Sequence, residues 1–104
     1  MTTLNIGLNN NPFELKGILK VLRQYLKDTP IHYEFCEGTY NNVVEPTLVI
    51  AYDDNYDDAI IKDLCTVMKQ TCIAVKVNGV GKLIYNRSHN GERFEYKEEL
   101  FITL

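Results

Sequence analysis

Tryptophan is absent from this chain of 104 residues, and proline and cysteine occur three times each. No apolar run approaches the ~18 residues of a membrane-spanning helix. Met1-Thr2-Thr3 opens the chain with neither the basic nor the apolar region of a secretory signal. A cytoplasmic location and no membrane partner are therefore expected. An odd cysteine count excludes a fully closed disulfide framework, and Cys36, Cys65 and Cys72 lack zinc-like spacing. They read as reduced thiols acting as small apolar residues. Positive charge is scarce as well. The formal net charge is −3 and no long basic run occurs, whereas a phosphate backbone is held by clustered Lys and Arg. Nucleic acid is not the expected partner.

What is present is a succession of periodicities. Leu4, Ile6 and Leu8 alternate, and then Leu15, Ile18, Leu19, Leu22 and Leu26 form a helical stripe. Two alternating runs follow, one over residues 31–35 and one over 47–52. A second helical stripe carries Ile60, Ile61, Leu64, Val67 and Met68, and alternation returns at Cys72. Asn11-Pro12-Phe13-Glu14 reads as a helix start, with Asn11 capping and Pro12 in the first helical position. That helix is expected to reach about Lys27. Pro46 is expected at a strand start, where its missing N–H is tolerated. Asn55 is the expected cap of a second helix running to about Gln70, and Asn78-Gly79 is a hairpin signal of type I′. Residues 93–102 read as a last strand, with or without a helical turn at 97–100.

The order predicts one α+β domain over residues 1–104. Its expected form is a ferredoxin-like β-α-β-β-α-β sandwich, two helices on one face of an antiparallel sheet, with an extra C-terminal hairpin or strand. A chain this short hides only about two-thirds of its unfolded surface. The core is expected at Leu4, Ile6, Leu15, Ile18, Leu22, Leu48, Ile50, Leu64, Ile73 and Val75.

Motifs for chemistry are few. His32, Glu34 and Cys36 stand at alternate strand positions and share one face, a donor set suited to zinc or another transition metal. The bland alternative is a solvated strand face. His-x-Glu also opens a zinc-deaminase signature, but the Pro-Cys-x-x-Cys that completes it is missing. Gly79-Val80-Gly81-Lys82 falls between two strands and not ahead of a helix, so it reads as a turn and not a phosphate loop. The run from Asp53 to Asp58 lacks the glycine and distal glutamate of a calcium loop. It suits a helix N-terminus, and it could also face a basic partner. His89 lies in a polar loop and is expected to be exposed and unpaired. Seven tyrosines occur, and tyrosine favours interfaces. Tyr40, Tyr56 and Tyr85 fall at element ends and are expected at the surface.

Glu45-Pro46-Thr47-Leu48-Val49, then Gln70-Thr71-Cys72-Ile73-Ala74-Val75 with Gly79-x-Gly81-x-Leu83, resemble segments of small uncharacterised proteins of bacteria, phages and mobile elements. The likeness covers roughly residues 45–85 and carries no catalytic residue. What it implies is a setting, in which short acidic proteins bind and block a host protein or a defence complex. The expected function is thus a non-enzymatic protein-binding module, an inhibitor of a host or defence factor. Its expected contacts are Asp53, Asp54, Asp57, Asp58, Tyr40 and Tyr56, with no cofactor and no metal. The alternative is a small enzyme or a ligand- or metal-binding protein using His32, Glu34 and Cys36 on an open sheet face. A homodimer with its open sheet faces packed together is a third arrangement.

Overall fold

The computed structural model describes residues 1–8, 15–40, 42–53, 57–97 and 102–103, with Tyr40, Ile102 and Thr103 described by backbone alone. Alternation and helical stripe resolve into β1 (Thr2–Gly7), α1 (Leu15–Tyr25), β2 (Ile31–Tyr40) and β3 (Val43–Tyr52), followed by α2 (Asp58–Val67), β4 (Cys72–Val77), β5 (Val80–Tyr85) and β6 (Ile102–Thr103). Asn11 and Pro12 lie outside the described residues, as does most of the turn expected at 97–100.

The strands form one antiparallel sheet in the order β5-β4-β1-β3-β2-β6. This is a small α+β fold, but it is not the simple ferredoxin-like sandwich that the periodicities predict. Strands are added at both edges. Asn78 and Gly79, at φ of 48° and 86°, turn β4 straight back so that β5 becomes its outer neighbour. At the opposite edge, β6 pairs with β2 at Cys36 and Glu37. Pro46 also departs from expectation, because it lies inside β3, opposite Glu37. Its carbonyl accepts from Leu8 N–H at 2.9 Å. Its nitrogen therefore points to the same side, towards Leu8 just past the end of β1, so the missing N–H takes nothing from the β2–β3 ladder.

One face of the sheet and the two helices make the core. Leu4 and Ile6 stand beside Ile50 and Leu48 on one flank, and Leu4 stands beside Val75 on the other. They pack with Ile18, Val21 and Leu22 of α1 and with Ile61, Leu64 and Cys65 of α2. Leu15, expected in the core, is only partly buried. Val49 and Ala51, on the other face of β3, are half-buried, as the near-continuous apolar run of that strand suggests. The chain after β5 accounts for part of that face. Phe94 N–H donates to Tyr85 Oη at 2.7 Å, and the Tyr96 ring lies against Gly81, where a Cβ has no room.

The helix ends show why local signals misplace boundaries. Asp57, not Asn55, caps α2, with its Oδ1 accepting from Ala59 N–H at 2.9 Å. At the other end, Gln70 N–H reaches Cys65 O at 2.9 Å and Lys69 N–H reaches Thr66 O at 3.2 Å. This is a Schellman closure with Lys69 in the left-handed region at φ 55°. Glycine is the residue suited to that place, since a Cβ there costs roughly 1–2 kcal/mol. Arg23 closes α1 differently, donating to Thr29 O at 2.6 Å. The variant Lys69→Gly is expected to stabilise the fold by about 0.5–1 kcal/mol in urea unfolding, with an unchanged m-value.

Candidate interaction surface

Two features meet at one end of the β2–β3 hairpin. The first is acidic. Asp53 follows directly on Tyr52, which pairs with Ile31. Its side chain is 90% exposed and lies 3.7 Å from the N-terminal ammonium. Asp57 is occupied as the cap of α2, and Asp58 accepts from Lys82 Nζ at 2.8 Å. That ion pair is about half exposed on both sides, so it contributes at most ~1 kcal/mol. Asp54 and Tyr56 lie outside the described residues. Tyr40 pairs with Val43 at the hairpin tip, and only its backbone is described.

The second feature is apolar, and reading the alternation alone missed it. Tyr33 and Phe35 stand opposite Ile50 and Leu48, and so on the helix side of the sheet. They are nevertheless 46% and 38% exposed, while Ile50 and Leu48 are fully buried. The two rings meet edge to face, with centroids 6.3 Å apart and planes at 80°. Val44, on the same side of β3, is more exposed still. α2 lies over β4 and β5 with α1 beside it, and this layer covers β2 only at Ile31, leaving Tyr33 and Phe35 exposed. The usable signal was the number of helical stripes, two, set against the number of strands.

The reverse side of β2 carries His32, Glu34 and Cys36, as its alternation predicts. His32 and Glu34 are exposed, but Cys36 is only 3% accessible. The open face that a metal site there requires is therefore closed at one of its three donors. Among the described residues no group of three His, Cys, Asp or Glu side chains is placed to hold a metal ion. On the central strand of the same face, buried Asn5 Oδ1 finds no hydrogen-bond partner among the described residues.

An open depression of about 360 Å³ at the carboxyl end of α2 is lined in part by Lys69, Gln70, Asn86, Ser88 and His89. Its polar groups largely satisfy one another. Asn86 Oδ1 accepts from Ser88 N–H and Oγ–H at 2.9 and 2.8 Å, and Asn86 Nδ2 donates to Gln70 O at 3.1 Å. His89, expected to be free, has Nε2 3.0 Å from Glu92 O and stacks on Tyr85 at 4.7 Å. Tyr85, expected at the surface, is buried between neighbours that include the Arg93 guanidinium, 4.8 Å from the ring. The arrangement fastens the loop after β5 and assembles no nucleophile with a base.

Cys36, Cys65 and Cys72 form no disulfide. Burial, with a smaller contribution from Cys72, pushes the Cys65 thiol up from 9.0 to about 12. Cys65 also donates to Gln70 O at 3.2 Å. A pKa raised in this way makes the folded state the better proton binder above the unfolded value. Between about pH 9 and pH 12 the unfolded chain ionises this thiol and the folded chain does not, so this contribution to stability falls as pH rises. Urea titrations across that range are expected to show the decline, and Cys65→Ala is expected to flatten it. At neutral pH a thiol-specific disulfide reagent is expected to modify Cys72, which is half-buried, well before Cys36 and Cys65, which are buried.

No protein-family model, curated protein or solved structure matches the chain.

Proposed function

We propose that this chain is a non-enzymatic protein-binding module whose contact surface is the uncovered part of β2, flanked by the acidic corner at Asp53. The exposure of Tyr33 and Phe35 on the helix side of the sheet carries this reading. Large aromatic side chains left half in water beside a filled core suit a surface completed by a partner. Asp53 follows the end of β3, three residues on from Ile50, the partner of Tyr33. At the rise of a strand this is roughly 10 Å, within one interface patch. A basic rim on the partner would match the acids and speed its approach. The finer form of the proposal is an inhibitor of a host or defence factor, from a phage or mobile element. It rests on the acidic corner and on the resemblance of residues 45–85.

Partner capture from a host extract by the immobilised full chain tests the reading. Tyr33→Ala and Phe35→Ala are each expected to weaken the captured interaction by about 10–30-fold, the effect of an aromatic hot spot. Asp53→Lys is expected to slow association and reduce its salt dependence. For Asp57 the informative change is Asp57→Asn, which removes charge and keeps an oxygen able to cap α2. Undiminished capture by the Tyr33→Ala/Phe35→Ala double variant would exclude this surface.

A further inference from the structure

We propose that the exposed face of α1 docks an acidic, helical segment of a protein partner. The cations that receive it are Lys16, Lys20 and Arg23, with Lys27 in the turn that follows. The inference stands apart from the β2 surface and adds a second contact of different chemistry.

Three observations carry it. The first is placement. Lys16, Lys20 and Arg23 follow one another at spacings of four and three residues, so one ridge of α1 carries them all. Each of them is exposed, as is Lys27. The sequence shows no basic run because the helix is what gathers them. The second is the lack of matching acids. α1 contains no Asp or Glu, and among the described residues none of these cations has an ion pair. Arg23 donates to the carbonyls of Lys27 and Thr29, which leaves its charge unopposed. On the other helix the balance differs, since Lys82 and Arg87 each meet an aspartate of α2 at 2.8 Å. Like charges at these spacings destabilise a helix, so the ridge weakens the isolated chain and suits an anionic partner. The third is an apolar border. Leu15 and Leu19 stand in the same row as Arg23, four residues apart, and are only partly buried against the core. They offer a seam for apolar residues of the incoming segment.

Spacing selects the occupant. Along the axis of a helix, Lys16 to Lys20 is ~6 Å and Lys20 to Arg23 is ~4.5 Å. A partner helix with carboxylates three and four residues apart repeats these steps and sets one carboxylate against each cation. An extended acidic chain presents same-side carboxylates every ~6.6 Å and is out of step by Arg23. A phosphate backbone is disfavoured by the net charge of −3, which repels a long polyanion. Exposed ion pairs are individually weak. The contact is therefore salt-dependent, with a dissociation constant on the order of 100 µM.

The probe is a synthetic alanine-rich helical peptide with glutamates at i, i+4, i+7 and i+11 and leucines beside them. Its control has the same composition in scrambled order. Fluorescence anisotropy of each labelled peptide, titrated with the full chain to about 1 mM, brackets the constant. The ordered peptide is expected to bind at least about fivefold more tightly than the scrambled one, and to weaken at least about fivefold between ~50 and ~300 mM salt. Lys16→Glu/Lys20→Glu is expected to weaken binding at least about tenfold. Both side chains are exposed and unpaired, so that variant is expected to unfold at no lower urea concentration than the native chain. Lys62→Glu/Lys97→Glu makes the same change in net charge at exposed positions elsewhere, and is expected to bind within about twofold of the native chain, as is Tyr33→Ala/Phe35→Ala. Equal affinity for the two peptides overturns the proposal, as does indifference to Lys16→Glu/Lys20→Glu or an equal loss in Lys62→Glu/Lys97→Glu. A single-stranded oligonucleotide bound more tightly than the ordered peptide, and lost in Lys16→Glu/Lys20→Glu, overturns the protein occupant. Loss of the peptide in Tyr33→Ala/Phe35→Ala alone overturns the α1 site and keeps the reading of β2.

Discussion

The width of the helix layer is the constraint on which the rest of the structure depends. Two helices, each ~10 Å across, roof roughly four strands at ~4.8 Å spacing. This sheet has six strands. The roof is also displaced, because α2 sits over β4 and β5. Leu4, Ile6, Leu48 and Ile50 are consequently sealed, while Tyr33 and Phe35 in the next strand stay half in water. Nothing in β2 itself distinguishes these aromatics from core residues. Their exposure is a property of what lies above them, and it is the source of the proposed contact surface.

The second face is treated differently. An antiparallel sheet roofed on one side can leave the other to solvent, but here the chain returns to it after β5. Tyr85 anchors that return. Its hydroxyl accepts from Phe94, and His89 and Arg93 both lie against its ring. Tyr96 then lies against Gly81, and the chain reappears as β6 at the far edge of the sheet. This arrangement removes the two likeliest-looking chemical features of the sequence from play. His89 becomes a packing residue, and the donor row of β2 ends in a thiol that water does not reach.

How much of this could be read from residues alone follows from the range of the signals. Alternation and helical stripe are local, and they placed every strand and helix up to β5. Asn78-Gly79 specified its own turn. The inward residues Leu4, Ile6, Ile18, Leu22, Leu48, Ile50, Leu64, Ile73 and Val75 are all buried. Boundaries were less legible wherever several residues could serve. Asp57 caps α2 although Asn55 is as good a capping residue, and Lys69 occupies a left-handed position that carries no glycine signal. Pro46 is tolerated inside β3 only because β1 stops beside it, which no local pattern records. The pairing of β6 with β2, the path of the tail and the uncovered aromatics all depend on contacts distant in the chain. They were illegible for that reason, and they are also what defines the candidate surface.

Residue-resolved hydrogen exchange at low protein concentration addresses the uneven roof most directly. The account predicts the slowest exchange in β1 and in β3 from Thr47 to Tyr52. Those strands have neighbours on both sides and lie under the helices. The outward-pointing amides of Ile31 and Tyr33, beside which no described strand lies, are predicted to exchange orders of magnitude faster. Equal protection across all of β2 and β1 would contradict an uncovered edge and remove the surface on which the functional reading stands.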